Sequence, residues 1–357
     1  MSSSTFIIAE AGINHTGSID LAEELVRVAA TSGADAVKFQ TFRTEDLVTR
    51  SAQKAVYQKK TSRSDESQFE MLKQLELSQE AHHRLIKQCE KNNIQFLSTA
   101  FDLESLSFLA TTLRLPLLKI PSGEITNGPL LLAYAETGCD LIISTGMANL
   151  KEVKDALSVL ALGMTGGKAL TRQGFMAAYD SAIGRSMLQK RVTLLQCTTE
   201  YPTLPVDVNL KAMMTMYEEF GLLVGLSDHT KGITAAISAV ALGGKVIEKH
   251  LTLDRTLPGP DHESSLEPDE FTAMVSAIRD VEKMLGDGIK NPRPCEIPNR
   301  DVARKSLVAG SRIKEGEKFE ETNLAIKRPG LGRSPMEYWD LLGKRSRSSY
   351  SKDDVIL

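Results

Sequence analysis

The residues Val224–Pro268, VGLSDHTKGITAAISAVALGGKVIEKHLTLDRTLPGPDHESSLEP, contain two apolar, β-like segments that each end in a histidine. A segment rich in alanine, isoleucine and valine separates them, so that His229 and His250 stand about one strand–helix–strand step apart. If the two strands are parallel neighbours, both imidazoles emerge at the same carboxyl edge, roughly 5 Å apart at the backbone. This placement suits a metal ion, and a PGPD turn with Asp261 follows directly. For a histidine pair alone, one capping and one core histidine is the commoner arrangement, so the rest of the chain must decide.

The pattern of this stretch continues through most of the chain. Short β-branched segments alternate with segments whose apolar residues follow the 3.6-residue period of a helix, as in 19–33 and 269–286. The strand candidates are 6–10, 36–40, 94–98, 117–120, 141–145, 192–196, 224–228 and 245–250. Nearly continuous apolar strands between helices are typical of a parallel sheet that is buried on both faces. Eight such units predict an α/β fold, a (β/α)8 TIM barrel. A doubly wound open sheet is the alternative, but no GxGxxG motif follows the first strand.

The composition of the chain changes after the last long helical segment. Residues 286–299 include three prolines and two glycines, which predicts a linker between a barrel domain, 1–285, and a smaller domain, 300–357. The smaller segment has short β-like pieces and an excess of basic over acidic residues. A module of this size buries little core alone, so we expect it to dock on a larger surface.

Two connections within the barrel segment are long. Residues 41–67 are polar and basic, which suits an ordered lid or binding loop over the barrel mouth. Residues 163–190 predict a peripheral insert with a helix near 175–184.

The overall composition is that of an ordinary globular protein, with 41% hydrophobic and 25% charged residues among 357. A net charge of −3 argues against nucleic-acid binding over a broad surface. The four cysteines are scattered without a CxxC motif, so neither a zinc knuckle nor a disulfide framework is indicated. The amino terminus lacks a basic segment, and no run of about 18 apolar residues occurs. We therefore expect a soluble cytoplasmic protein without a membrane partner.

Polar residues stand at nearly every predicted strand end, where a barrel builds its active site. They include Glu10, Lys38, Gln40, Lys119, Ser122, Glu124, Ser144, Thr199, Tyr201, Ser227, His229 and His250, followed by Asp261. Two lysines with several hydroxyls suit a phosphorylated, carboxylated small anion. Two histidines leave most of a coordination sphere open, which suits an octahedral ion such as Mn²⁺ better than a closed zinc site. The carboxylates could bind sugar hydroxyls or transfer protons. Each residue alone has an equally ordinary structural explanation, such as a helix cap or an internal ion pair.

Nine segments along the chain are similar to one known family. They are AEAGINHTGS, GADAVKFQTF, KIPSGEITN, ISTGMANL, CTTEYPT, GLSDHT, IEKHLTLD, GPDHESSLEP and KRPGLGRSP. In this order they resemble the sialic acid synthase family over essentially the whole chain. The resemblance implies a TIM barrel followed by a small C-terminal antifreeze-like (SAF, β-clip) domain. It also implies a domain-swapped homodimer, in which the small domain caps the partner's barrel.

The resemblance further implies a transferase that condenses phosphoenolpyruvate with an N-acyl mannosamine-type sugar and water by C–O cleavage. N-acetylmannosamine is the first choice of acceptor, which gives the nine-carbon sialic acid N-acetylneuraminate and phosphate. The alternative acceptor is 2,4-diacetamido-2,4,6-trideoxymannose, which gives N,N′-diacetyllegionaminate, or a pseudaminate precursor. A non-catalytic carbohydrate- or ice-binding protein and a zinc hydrolase on a barrel are the more distant alternatives.

Site roles come from the same resemblance, position by position. The resemblance assigns the binding of the metal, Mn²⁺ or Mg²⁺, to His229 and His250. It assigns the binding of phosphoenolpyruvate to Lys119, Ser122, Ser144, Thr199 and Ser227. It assigns the binding of the acceptor sugar to Gln40, Glu124, Tyr201 and Asp261. Lys38 and Glu10 belong to the adjoining polar floor of the site. Arg328 matches a residue that reaches across the dimer to the N-acyl group of the sugar. Glu10 and Glu124 are the candidates for acid–base catalysis, and the two lysines offset the charge of the anion.

Overall fold

A computed structural model describes residues 4–55 and 66–357 of the chain. The chain divides into two compact units, Met1–Gly286 and Asp287–Leu357. The first unit carries the eight-stranded sheet and the second a small antiparallel sheet.

The first unit is a closed barrel of eight parallel strands that follow one another in chain order. The strands are β1 Phe6–Gly12, β2 Ala36–Thr41, β3 Gln95–Ala100, β4 Leu117–Ile120, β5 Asp140–Ser144, β6 Val192–Cys197, β7 Leu223–Asp228 and β8 Val246–His250. Every end lies within two residues of the position expected from the β-branched segments. The predicted (β/α)8 barrel is therefore confirmed.

Most of the helices follow a strand and pack on the outside of the barrel, whereas α3 lies beside the cavity at its mouth. In this unit they are α1 Ile19–Thr31, α2 Thr44–Leu47, α3 Gln68–Lys73, α4 Gln79–Lys91, α5 Leu103–Ser107, α6 Gly128–Glu136, α7 Leu150–Met164, α8 Arg172–Asp180, α9 Ala182–Arg191, α10 Lys211–Phe220, α11 Thr234–Ala241 and α12 Pro268–Leu285. Several begin where an oxygen-bearing side chain accepts a hydrogen bond from the first turn, as Ser18 does for α1 and Ser78 for α4. Their apolar faces and the outward residues of the strands form the largest hydrophobic core.

The inside of the barrel is built in layers. Near the amino ends of the strands the inward residues are apolar, and Ile8, Ala36, Leu97, Ile142, Leu195 and Val246 form a separate cluster with Phe6 and Leu117 packed against it. Gly225 of β7 belongs to this level, because a Cβ there would lie 2.0 Å from the Val246 carbonyl oxygen and 2.9 Å from Leu195. Side chains alternate along a strand, so the next inward residue on every strand is two positions further on. That next layer forms the floor of the candidate site.

The two long connections differ from simple loops. The predicted lid at 41–67 contains α2, and its residues 56–65 lie outside the described part of the chain. The predicted helix near 175–184 is divided in two, because the chain is extended at Ser181 between α8 and α9. The Ser181 hydroxyl donates to the Ala178 carbonyl and accepts from the Gly184 amide, so one residue ends one helix and caps the next.

The second unit has its own small core. It contains α13 Ile297–Ala303, β9 Ser306–Ala309, β10 Leu324–Lys327 and α14 Tyr338–Leu341. The two strands pair antiparallel, from Leu324 with Ala309 to Lys327 with Ser306. The buried core consists of Leu307, Ala309, Ile313, Phe319, Leu324, Leu341 and Ile356. The predicted small C-terminal β domain is thus present.

Candidate active site

One cavity at the carboxyl end of the barrel takes a polar side chain from each of the eight strands. These residues are Glu10, Lys38, Thr99, Lys119, Ser144, Cys197, Ser227 and Glu248. Each stands two positions after a residue of the apolar layer, so the alternation of the strands directs all of them inward. Inward polar groups are costly unless they have partners. Six of the eight contact one another, and all eight line the cavity.

Two lysines and two glutamates form a connected ionic network in this floor. Lys38 Nζ lies 2.7 Å from Glu10 Oε2 and 3.7 Å from Glu248 Oε2, and it donates to Thr99 Oγ1 at 3.1 Å. Lys119 Nζ lies 3.5 Å from the other oxygen of Glu248. Glu248 is therefore shared between both ammonium groups. The four side chains are almost completely buried, so solvent screens their interactions little.

Burial and neighbouring charge shift the pKa values of this network in opposite directions. Burial raises the pKa of Glu10 to about 7, although the ammonium of Lys38 opposes that rise. Burial alone would lower the pKa of Lys38, but Glu10 and Glu248 raise it. Burial lowers the pKa of Lys119, and Glu248 offsets only part of that effect. Burial would raise the pKa of Glu248, but Lys119 and Lys38 hold it below its ordinary value. The floor thus combines a carboxyl group that titrates near neutral pH with a carboxylate that stays ionised.

Hydroxyl groups surround the cavity beside Lys119. Ser122 Oγ accepts from the Gly146 amide at 2.9 Å, and Ser227 Oγ donates to Glu248 Oε1 at 3.1 Å. The hydroxyls of Ser144 and Thr199 are buried without a hydrogen-bond partner among the described residues. A Cβ at position 146 would lie 2.3 Å from Thr199 Oγ1 and 2.8 Å from Ser122 Oγ, so glycine allows these groups to converge. Orphaned buried hydroxyls next to an ammonium suit the oxygens of a small anion. The two lysines and these hydroxyls therefore form a candidate anion pocket, which comprises Lys38, Lys119, Ser122, Ser144 and Thr199.

The two histidines lie on one side of the same cavity, as the parallel neighbours β7 and β8 require. Their ring centroids are 5.5 Å apart, and the ring of Tyr201 lies 4.1 Å from that of His229. The Thr198 carbonyl oxygen is 2.7 Å from His229 Nδ1 and can only accept, so Nδ1 carries the proton and Nε2 has the lone pair. His250 Nδ1 is buried without a hydrogen-bond partner among the described residues and lies 3.9 Å from Asp261 Oδ2.

Burial and neighbouring charges shift the pKa values of the two imidazoles in opposite directions. Burial lowers the pKa of His250 well below 6.5, and the neighbouring His229 and Lys38 act in the same direction. Burial would lower the pKa of His229 as well, but Cys197 and the Thr198 carbonyl raise this pKa above its ordinary value. A neutral imidazole is the form that binds metal, and the lowered pKa keeps His250 in that form.

The residues of this corner fit a divalent ion with an open coordination sphere. The orphaned nitrogen of His250 and the oriented ring of His229 offer two ligands, and the carbonyl that holds His229 is an outer-shell partner of the usual kind. Within residues 4–55 and 66–357, no group of three or more histidine, cysteine or acidic side chains could hold a metal. Any ion held by these two imidazoles would therefore keep most of its positions for water or substrate, unlike a closed structural zinc site.

Gln40 and Asp261, two further predicted residues, line the same cavity. Gln40 Nε2 donates to Glu10 Oε1 at 3.4 Å, and Asp261 is buried beside His250. Burial raises the pKa of Asp261 to about 6. Glu124 is not among the cavity-lining residues, and its carboxylate accepts from Asn127 at 2.7 Å. Arg328 is an exposed residue of the second unit. The roles assigned to all of these residues stay predictions.

Sequence reasoning missed three members of the polar floor. Thr99, Cys197 and Glu248 line the cavity, and Glu248 contacts both lysines. The signal was present in the alternation of the strands, because Glu248 stands two residues before His250 on the same face of β8. Lys249, between them, points away and pairs with Asp228 Oδ2 at 2.9 Å behind the barrel wall.

Comparison with known families agrees with this geometry. Residues 25–290 match the family described as the NeuB family, and residues 304–357 match the SAF domain. The chain belongs to the NeuB family. The resemblance to sialic acid synthases and the assignment of the small C-terminal domain are confirmed by these matches.

Several relatives of this NeuB-family chain carry names from one class of enzymes. It is 48% identical to the N,N′-diacetyllegionaminic acid synthase of Campylobacter jejuni, over 99% of this chain and 98% of that protein. It is 44% identical to the enzyme of the same name from Legionella pneumophila, over 99% of this chain and 93% of that one. A solved N-acetylneuraminic acid synthetase from Leptospira borgpetersenii is 32% identical, with a TM-score of 0.66, over 83% of this chain and 90% of that one.

These relatives are named as synthases of nonulosonic acids, so the expectation that this NeuB-family chain is an enzyme, a synthase of that class, is confirmed. The choice of acceptor is a finer matter. The sequence favoured N-acetylmannosamine, whereas the relatives of 48% and 44% identity are named for N,N′-diacetyllegionaminic acid. No helix of the described residues is both long and apolar enough to cross a membrane.

Proposed function

We propose that this chain condenses phosphoenolpyruvate with 2,4-diacetamido-2,4,6-trideoxymannose and water, giving N,N′-diacetyllegionaminate and phosphate. The observation that carries the reaction class is the single cavity in which two buried lysines and orphaned hydroxyls face two buried histidines. One side of that cavity offers binding groups for a small anion and the other offers ligands for a metal. The choice of acceptor is supported by the relatives of 48% and 44% identity, which are named for N,N′-diacetyllegionaminic acid.

A second candidate is the same reaction on N-acetylmannosamine, giving N-acetylneuraminate. The 32% identical synthetase from Leptospira borgpetersenii favours it. Both candidates use the same anion pocket and the same histidines, so they differ only in the part of the cavity that holds the far end of the sugar.

The side chains of the floor can be given roles in this reaction. Lys38 and Lys119, with the hydroxyls of Ser122, Ser144 and Thr199, bind the phosphate and carboxylate of phosphoenolpyruvate. Their charge is present throughout the reaction, so they contribute mainly to binding and orientation.

Proton transfer falls to Glu10 in this proposal. Its pKa of about 7 lets it exchange a proton near neutral pH, and it lines the cavity, whereas Glu124 does not. When bound at His229 and His250, a Mn²⁺ or Mg²⁺ ion supplies positive charge that polarises the aldehyde oxygen of the acceptor. Tyr201 and Asp261 flank the same histidines and would orient the sugar.

The bond that breaks in the proposed reaction can be tested with labelled water. Carbon C3 of phosphoenolpyruvate forms the new bond to the aldehyde carbon, and water adds at C2 before phosphate leaves by cleavage of its C–O bond. In ¹⁸O-water the label should enter C2 of the product. Label in the released phosphate instead would show P–O cleavage and overturn this part of the proposal.

The deciding experiment is phosphate release from phosphoenolpyruvate with each purified sugar and Mn²⁺. The diacetamido sugar should give the higher kcat/KM, and N-acetylmannosamine a lower one. His229→Ala should remove turnover while circular dichroism and the melting temperature show a folded chain. If the unaltered chain binds the sugar but releases no phosphate, a non-catalytic carbohydrate-binding protein is favoured instead.

A further inference from the structure

The cavity has an apolar wall above its charged floor, formed by Ile13, Leu72 and Phe101. Ile13 and Leu72 are buried, with 6% and 8% of their surface exposed, and Phe101 packs against the same small cluster. This cluster is separate from the main core of the unit. The apolar wall therefore belongs to the site and is not an accidental exposure of the barrel core.

The position of the apolar wall relates it to the far end of the acceptor. Ile13 follows β1 three residues after Glu10, and Phe101 follows β3 two residues after Thr99, so both lie beyond the polar layer, towards the mouth. The wall stands on the β1 to β3 side, and the histidines stand at the ends of β7 and β8. β8 pairs with β1, so the histidines and the wall share the mouth of the cavity. In the proposed pose, a sugar whose aldehyde faces the histidines has its opposite end against this wall.

The two candidate acceptors differ at that opposite end. The diacetamido-trideoxy sugar has a methyl group at C6 and an acetamido group at C4, whereas N-acetylmannosamine has hydroxyl-bearing groups at both places. An apolar side chain stabilises a methyl group, but it leaves a hydroxyl without water and without a hydrogen-bond partner. The wall is thus complementary to the deoxygenated, acylated end of the first sugar.

Resting on the proposed function, we infer that Ile13, Leu72 and Phe101 seat the C4–C6 end of the acceptor and select a 6-deoxy-4-acylamino sugar over a hydroxylated one. They are specificity-determining residues and take no part in the chemistry at C1. Apolar pockets discriminate against an added hydroxyl by about 10- to 100-fold, which sets the size of the expected preference.

The test measures kcat/KM for both sugars at saturating phosphoenolpyruvate in the full-length chain. The unaltered chain should prefer the diacetamido sugar by about 10- to 100-fold. Leu72→Asn should reduce that preference about 10-fold, mainly by loss of efficiency with the diacetamido sugar. Leu75→Asn is the matched control, because Leu75 belongs to the same cluster but is not among the cavity-lining residues. It should leave the ratio of the two kcat/KM values unchanged.

Ile13→Thr provides a second variant if Leu72→Asn does not fold, and it should shift the ratio in the same direction. An unchanged ratio in a folded wall variant, or an equal change in Leu75→Asn, overturns the inference. So does an unaltered chain that turns over both sugars without preference. An unaltered chain that releases no phosphate with either sugar overturns the proposed function itself, which is a distinguishable result.

Discussion

At the residue scale, Glu248 holds one carboxylate against the two lysines of the anion pocket, at 3.7 Å from Lys38 and 3.5 Å from Lys119. It therefore neutralises part of the charge that an incoming anion would use. Glu248→Gln keeps an oxygen that can accept from Ser227 but removes the negative charge. We expect the dissociation constant of phosphoenolpyruvate at pH 7, measured by calorimetry without the sugar, to fall by about fivefold.

Glu24→Gln is the control for that measurement, because Glu24 pairs with Arg27 on the exposed surface of α1. It should leave phosphoenolpyruvate affinity unchanged. Weaker binding in Glu248→Gln would mean that the carboxylate positions the lysines more than it competes with the ligand.

His15 gives the protein a defined sensitivity to acid. It is fully buried, and burial together with the nearby His82 and His262 lowers its pKa to about 4. The unfolded chain binds a proton at this position from about pH 6.5 downward, whereas the folded chain does not until about pH 4. Its contribution to stability is therefore complete above pH 6.5 and is lost as the pH falls, by about 2 kcal/mol at pH 5.

Urea unfolding at pH 7.5 and pH 5 tests this linkage. His15→Gln should lose less stability than the unaltered chain between the two pH values, by about 2 kcal/mol. The exposed His83 serves as the comparison, since His83→Gln should keep the original pH dependence. Equal pH dependence in all three chains would contradict the assignment to His15.

At the element scale, β7 and β8 are joined behind the site by a fully buried ion pair. Lys249 Nζ donates to Asp228 Oδ2 at 2.9 Å, and both side chains have no exposed surface. Asp228 and Lys249 precede His229 and His250 directly. Lys249→Met should destabilise the chain by about 3–5 kcal/mol, because it leaves the Asp228 carboxylate buried and unpaired.

Adding Asp228→Asn should recover much of that loss, since the amide oxygen can still accept from the Thr230 amide. Lys151→Met breaks the exposed pair with Asp155 on α7 and should cost less than about 1 kcal/mol. Urea titrations of the four chains give the comparison. A double variant no more stable than Lys249→Met would show that the charge left unpaired is not the cause.

The same two elements show what the sequence could and could not predict. Alternation and apolar character determine β7 and β8 almost to the residue, because a strand buried on both faces tolerates few other patterns. The strand-end rule then located the histidines and both lysines. Glu248 was missed because it stands two positions before the end of β8, where a charge is normally excluded and only the facing lysines stabilise it.

Helix boundaries in the insert after α7 were harder to predict for a local reason. Residues 175–184 have a helical composition on both sides of Ser181, and a serine is compatible with a helix interior as well as with a cap. The choice depends on hydrogen bonds to Ala178 and Gly184, which a spacing pattern does not encode. The pairing of charges across strands depends on tertiary contacts, whereas this cap depends on the local backbone conformation of Ser181.

At the scale of the whole molecule, the chain comprises two units with separate hydrophobic cores. The cavity lining comes from the first unit, whereas Arg328 belongs to the second. The resemblance to the family predicts a homodimer in which the small domain of each chain caps the partner's barrel. If that prediction holds, each complete site contains residues of two chains, as exchanged elements in symmetric dimers require.

Mixing two defective variants tests this arrangement. His229→Ala damages the barrel site but keeps Arg328, and Arg328→Ala keeps an intact barrel. In a domain-swapped heterodimer one of the two sites receives an intact barrel and an intact arginine. After subunit exchange, an equal mixture should therefore recover roughly a quarter of the activity of the unaltered chain, by random pairing. Light scattering should show twice the chain mass of 39.1 kDa. A dimer of that mass whose mixture stays as inactive as the separate variants would show that each chain completes its own site.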